Sequence, residues 1–175
     1  ISKNNIIYNK KQKKITNSYS DQFTHMLRYQ NDSLMITHKT LNKDNPKLNC
    51  RLKGFEKFSP KRIILDKNLA LDKLSNLVKT SDIHPLIIVT KDKPKDKHWI
   101  HEKIENNQIR LLIMGKNYNL KAIFIVLLEQ GFGHILVEPG PRLLKSLFSE
   151  ELVDEFFEVI IKKKLIKGYS ICISE

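Results

Sequence analysis

Cysteine, tryptophan, acidic residues and long apolar runs are all scarce in this chain, and each shortage excludes something. The two cysteines, Cys50 and Cys172, lie far apart. They lack the spacing of a zinc or thiol-redox motif, and the cytoplasm is the expected location. The longest apolar runs, such as Ala122–Leu128, fall far short of a membrane span. No secretory signal pattern occurs. The chain begins at Ile1, so its natural start is expected to be missing. Acidic residues number 19 against 31 lysines and arginines, a formal charge of +12. Such a balance suits a polyanion. However, aromatic residues make up only 8% and are poorly interleaved with the basic ones, which argues against base stacking. The lysines are spread along the chain beside many Asn and Ile, and are dense only at Lys10–Lys14 and Lys162–Lys164. Nucleic acid is therefore the weaker reading, and the same positive field would serve an anionic small substrate. Of six histidines only His98 and His101 are closely spaced. They share a helical face but lack a third ligand nearby, and read as a solvated pair with no metal implied.

What is present is enough apolar residue, 41% of 175, to build the core of a single domain over 1–175. No internal repeat occurs. Phe23, Met26 and Leu27 recur at helical spacing behind a serine, predicting a helix over Asp21–Gln30. Ser33–Ile36, Lys61–Asp66, Pro85–Thr90 and Arg110–Met114 read as short strands. Between the first two of these, Leu41–Arg51 reads as a turn-rich loop, because Asn-Pro disfavours helix. The stretch NLKAIFIVLLEQGFG reads as a buried helix capped by Asn119 and ended by Gly131 or Gly133. Ile135–Val137 is a further strand. Pro141 opens a helix with Leu143, Leu144, Leu147 and Phe148 as its apolar stripe. EFFEVII and YSICIS read as two terminal strands with no helix between them. Strands alternating with helices imply an α/β fold with a mostly parallel sheet, and the two last strands imply an antiparallel edge.

In such sheets ligands sit beyond the carboxyl ends of the strands. HILVEPGPRLLKSLF places Glu138 at such an end, followed by a turn into a helix start whose free N–H groups favour an anion. Arg142 adds positive charge. From the residues alone Glu138 serves equally well as a ligand group or as a loop cap.

Several segments in order narrow the choice. Val137–Pro141 and Leu152–Glu155 resemble the turn and the Leu-Val-Asp-Glu of the reductase domain of the bacterial bifunctional riboflavin-biosynthesis deaminase/reductase. Ile15–Arg51 is similar to that family's long signature: Ile-Thr, then His-x-Leu-Arg at His25–Arg28, then Thr-Leu, then Asp-x-Pro-x-Leu and a closing Arg. Pro60–Asp66 resembles its next strand, and ISKNNII resembles its opening. The resemblance implies a dihydrofolate-reductase-like fold, with a mostly parallel sheet flanked by helices and antiparallel C-terminal edge strands. It implies NADPH-dependent reduction of 5-amino-6-(5-phosphoribosylamino)uracil to the ribitylamino product, a homodimer, and a zinc deaminase domain upstream in the natural chain. By the same resemblance Arg28, Leu48, Arg51 and Glu138 bind substrate, with Asp44 and Glu138 in catalytic positions. Thr40, Asp44 and the turn Gly140, Pro141, Arg142, Leu143, Leu144, Lys145, Ser146 meet the cofactor, and Lys67, where the family often has Ser, is a candidate contact to the cofactor's extra phosphate. Local alternatives are a helix-surface arginine for Arg28, an Asx turn for Asp44 and a core position for Leu48. The sequence departs from the family at Gln12 (often Ser), Lys14 (Trp), Asn45 (Asp), Lys67 (Ser) and Arg142 (Thr or Gly). It also lacks the glycine-containing segment before the last strand, so a trimmed connection or omitted residues are expected near 160–168. A related reductase of another pyrimidine or a pterin, or a weakly active basic ligand- or nucleic-acid-binding homologue, are the alternative readings.

Overall fold

Short strands buried at nearly every position build the centre of the molecule. The computed structural model describes residues 6–8, 18–95, 98–159 and 169–170. The expectations at Gln12, Lys14, Cys172, the two dense lysine runs and the 160–168 connection lie outside those residues. The elements in chain order begin with β1 (Ile6–Tyr8), α1 (Ser18–Gln30), β2 (Ser33–Thr37), α2 (His38–Asp44) and β3 (Lys61–Leu65). They continue with α3 (Asn76–Lys79), β4 (Leu86–Thr90), α4 (His98–Glu105), β5 (Ile109–Ile113) and α5 (Leu120–Glu129). Last come β6 (Ile135–Val137), α6 (Pro141–Ser149) and β7 (Tyr169–Ser170).

Five strands form one parallel sheet in the order β5-β4-β3-β2-β6. Successive strand residues point to opposite faces, and both faces are covered, so the inner strands are mostly apolar, with Arg62 in β3 as a buried exception. Leu34, Ile36, Ile64, Leu86 and Ile88 pack on one side with Leu41, Leu77 and Ile100. Met35, Ile63, Leu65, Ile87 and Val89 pack on the other with Ile123, Leu127, Leu143 and Leu147. The order of strands reverses once. The chain steps outward from β2 to β5, and α5 then carries it back to the free side of β2, where β6 pairs. The carboxyl ends of β2 and β6 thus flank the topological switch point, where an open sheet leaves a crevice.

Four expectations need correction. The Leu41–Arg51 loop begins as helix: Thr37 caps α2 by accepting Thr40 N–H, and Asn45, at φ 44°, ends it one residue before Pro46. The propensity of Asn-Pro acts on the end of the helix and leaves Leu41–Asp44 helical. Helix α5 is not buried all round, since Ile125 and Leu128 are 56% and 64% exposed and only Ile123 and Leu127 are buried. The Asn119 cap is as expected, accepting Ala122 N–H at 2.9 Å. No strand covers 155–159, the described part of the expected strand. There Phe156 meets Phe148 and Phe157 meets Phe23 edge-on, ring centroids 5.2 and 5.8 Å apart, so side-chain contacts hold the segment in place of a ladder. Finally, the antiparallel pairing of the described residues is not an edge of the main sheet. It joins β1 and β7 in a separate two-stranded ladder.

Candidate active site

The switch point gathers charged and polar side chains from three distant parts of the chain. Glu138 follows β6, and its N–H donates to Met35 O at 3.0 Å, extending the β2–β6 ladder by one residue. The carboxylate is thereby held on rigid backbone. From α1, Arg28 meets it as a fork: Nε donates to Oε1 at 2.8 Å and Nη2 to Oε2 at 3.0 Å. The arginine side chain is 10% exposed and the glutamate 31%, so the carboxylate is the member that faces solvent. Bidentate pairing fixes both position and orientation. Arg28 Nη1 also donates to Asn49 O at 3.3 Å, binding the 48–51 loop to the same centre. Arg28 was expected to bind substrate through phosphate or uracil oxygens; in the structure three of its donors are engaged by Glu138 and Asn49.

Thr40 and Gly140 lie close together at the starts of α2 and α6. The hydroxyls of Thr37 and Thr40 are 3.2 Å apart. A Cβ built on Gly140 would lie 3.8 Å from Thr40 Oγ1, so the starts of α2 and α6 face each other across that gap. Gly140 caps α6, Pro141 is its first residue, and no acidic side chain sits in the first turn. Arg142 and Lys145 are exposed. Leu143 and Leu144 are buried side chains, and the Leu144 N–H already donates to Gly140 O at 3.0 Å, so of the two only the Leu143 N–H can meet a ligand. Ser146 lies beyond the first turn, where its carbonyl accepts from Ser149 and Glu150.

The remaining expected residues are dispersed. Asp44 is exposed at the end of α2, and its neighbour Asn45, the left-handed C-cap, accepts Asn76 N–H at 2.7 Å. Leu48 is buried in the core at φ 50°. Arg51 is exposed, with Nη1 donating to Asn49 Oδ1 at 2.9 Å. Lys67 follows β3 and lies 5.9 Å over the Tyr118 ring. No hydrogen bond or ion pair among the described residues joins Asp44 or Lys67 to Arg28 or Glu138.

Sequence reasoning missed four polar residues here. Asp66 is fully buried after β3 and accepts Ala70 and Leu71 N–H at 2.9 and 2.7 Å. His38, directly after β2, brings Nδ1 to 3.4 Å from Asp66 Oδ1. Tyr118 is pushed up to about 12, by burial first and by the Asp66 charge second. His25 is held below the usual histidine range by burial, then by Arg51 and Arg28, against the opposing pull of Asp21 and Glu138. The rule that singled out Glu138, a polar residue at the carboxyl end of an apolar strand, also finds His38 and Asp66.

A separate groove of about 650 Å³ runs along the open edge of the sheet, lined by β5 with Pro94, His101 and Phe132. It includes none of Arg28, Thr40, Glu138 or Gly140. His98 and His101 are both exposed. Among the described residues no group of three or more His, Cys, Asp or Glu is placed to hold a metal, and no helix is long and apolar enough to cross a membrane.

Known proteins share this fold. The riboflavin biosynthesis protein RibD of Aquifex aeolicus is 33% identical over 157 residues, which are 90% of this chain and 42% of that protein. A protein named 5-amino-6-(5-phosphoribosylamino)uracil reductase, from Buchnera aphidicola, is 25% identical over 86% of this chain and 75% of its own length. The solved structure of Acinetobacter baumannii RibD superposes with a TM-score of 0.78 at 19% identity, over 97% of this chain and 46% of that one. The fold is therefore that of the RibD reductase domains, and the chain spans less than half the length of two of these three proteins. Residues 7–164, including every element around the crevice, match one family throughout: the chain belongs to the RibD C-terminal domain family.

Proposed function

We propose that this chain reduces 5-amino-6-(5-phosphoribosylamino)uracil, with NADPH, to the ribitylamino product of riboflavin biosynthesis. The observation that carries the reading is the Arg28–Glu138 fork at the switch point, two residues before the Gly140 turn that packs by Thr40. Glu138 offers acceptor oxygens to substrate hydroxyl or amino groups, and Arg28 fixes where those oxygens stand. Arg51 is the candidate for the substrate phosphate, Asp44 for the polar group beside the reacting carbon. NADPH, when bound, supplies the hydride. The residues present fit it. The gap at Gly140 lacks a side chain, the first turn of α6 carries no acid, and Arg142 and Lys145 stand exposed beside it. Lys67, after β3, is the candidate for the cofactor's additional phosphate. A cytoplasmic homodimer completes the reading; sedimentation gives its mass.

Turnover of the phosphoribosylamino-pyrimidine, followed by NADPH absorbance, tests the proposal. The not-yet-deaminated pyrimidine serves as the comparison substrate. NADPH should bind about tenfold or more tightly than NADH, because a charge-assisted phosphate bond contributes about 1.5–3 kcal/mol. Equal affinity at moderate salt would remove Lys67 and Arg142 from the site. Binding that instead falls steeply with salt for single-stranded nucleic acid would favour the basic binding homologue.

Gly140→Ala separates ligand from fold. The residue sits at φ −75°, ψ 169°, allowed to any amino acid, and an added methyl meets Thr40 at ordinary contact distance. Stability should change by no more than about 0.5 kcal/mol. A methyl in the gap that receives the cofactor should cost about 1–3 kcal/mol of binding, about tenfold in the Kd for NADPH. An unchanged Kd would move the cofactor away from Gly140.

A further inference from the structure

Three successive loop residues are tied to one face of α1. Arg28 Nη1 donates to Asn49 O at 3.3 Å, Cys50 Sγ to His25 O at 3.5 Å, and Arg51 N–H to His25 Nδ1 at 3.3 Å. His25 and Arg28 stand three residues apart and so lie one above the other on the helix. The loop is braced from its other side by Ser59 Oγ, which accepts Cys50 N–H at 3.1 Å. Just before it, Leu48 is buried in the left-handed region at φ 50°. Such a conformation persists only where the surroundings over-determine it. The bond from Arg51 N–H forms only while Nδ1 is unprotonated, with the ring proton on Nε2. The charged groups facing this imidazole are Arg51 and Arg28, which disfavour a second proton, and Asp21 and Glu138, which favour it. Burial adds to the arginines, and His25 is 9% exposed.

We propose that His25 is the positioning residue of the substrate-side loop: its neutral imidazole holds the Arg51 amide, sets Asn49–Arg51 against the Arg28–Glu138 pair, and lets that loop go on protonation. The proposal rests on the reading above for Arg51 as a substrate contact. Above the ordinary histidine range the latch is closed. As pH falls below about 6.5 the open form gains, together with the unfolded chain, whose free histidine takes the proton more readily. The stability that His25 contributes is therefore full at neutral pH and lost on the acid side.

His25→Asn places an amide oxygen near the position of Nδ1 and does not titrate; His25→Leu removes the acceptor. KM and kcat are measured for all three proteins between about pH 5 and 8. The substrate phosphate titrates near pH 6 for each of them, so the difference between wild type and the Asn variant isolates His25. From the loss of one hydrogen bond, the wild-type KM should rise roughly five- to tenfold more than that of the Asn variant as pH falls, with kcat following within about twofold. The Leu variant should show the raised KM at every pH. Identical pH profiles for wild type and Asn variant, or a Leu variant with wild-type KM, overturn the proposal. Amide hydrogen exchange of the ligand-free wild type gives a second readout. Arg51 should lose protection as His25 titrates while the α5 amides keep theirs; constant protection at Arg51 overturns the latch. If wild type turns over neither pyrimidine, the reductase reading fails, and the exchange result alone decides the latch.

Discussion

Glu138→Gln should lower kcat/KM about 10- to 100-fold, the loss expected when one charge-assisted bond of about 1.5–3 kcal/mol disappears from the transition state. The amide keeps the shape but not the charge, and its NH2 would point a donor at the Arg28 fork. Because the arginine side chain is 10% exposed, the substitution leaves a largely desolvated cation without its charged partner. Stability should accordingly fall by about 1–3 kcal/mol, more than for a free surface carboxylate. The double substitution Arg28→Met with Glu138→Gln distinguishes the arginine's two possible roles. If Arg28 acts by holding Glu138, the two losses in kcat/KM overlap, with an interaction energy of about 0.5–3 kcal/mol. Strict additivity would mean that Arg28 reads the ligand independently, as the sequence resemblance implied.

Arg62→Ala should cost about 3–5 kcal/mol of stability, the range for breaking a buried network around one cation. Arg62 lies in β3 opposite Leu34 and Leu86 and is 1% exposed. Its Nη1 donates to Thr80 Oγ1 at 2.9 Å, and its Nη2 to Leu77 O, Thr80 O and His84 O. Those carbonyls close α3 and the turn after it, so one guanidinium satisfies groups that the helix end leaves open. Burial brings its pKa down to about 10, which still leaves it charged at neutral pH. Lysine has one ammonium where four acceptors are spread around a plane, so Arg62→Lys should recover less than half of the loss. Urea unfolding with an unchanged m value measures both variants. A cost under about 1 kcal/mol for Arg62→Ala would show that water replaces the guanidinium.

These two arginines show where the sequence is legible. The strand of Arg62 was readable, because β-branched and aliphatic residues in a short run mark a buried strand whatever they pack against. That a cation inside it would be fully buried was not readable, since its acceptors come from 15 to 22 residues further on. Arg28 was found through a family signature, but its partner stands 110 residues away. The helix starts at Asn119 and Pro141 were legible because what opens a helix, a side-chain cap or a proline in the first turn, lies within three residues. The strand expected from Glu155 was not, because an apolar run encodes the need for cover and not the kind of cover. Phe156 and Phe157 found rings where a ladder was expected.

By itself the sequence determined which residues form the parallel strands, the helices α1, α5 and α6, and that Glu138 stands at a strand's carboxyl end. These follow from periods of two and 3.6 residues and from turn chemistry, all local. Only the tertiary structure decided that β6 pairs beside β2. That single choice of neighbour opens the crevice, faces Thr40 to Gly140, and brings Glu138 onto Arg28. Strand order depends on how a crossover packs over the whole sheet, and no window of a few residues contains that information.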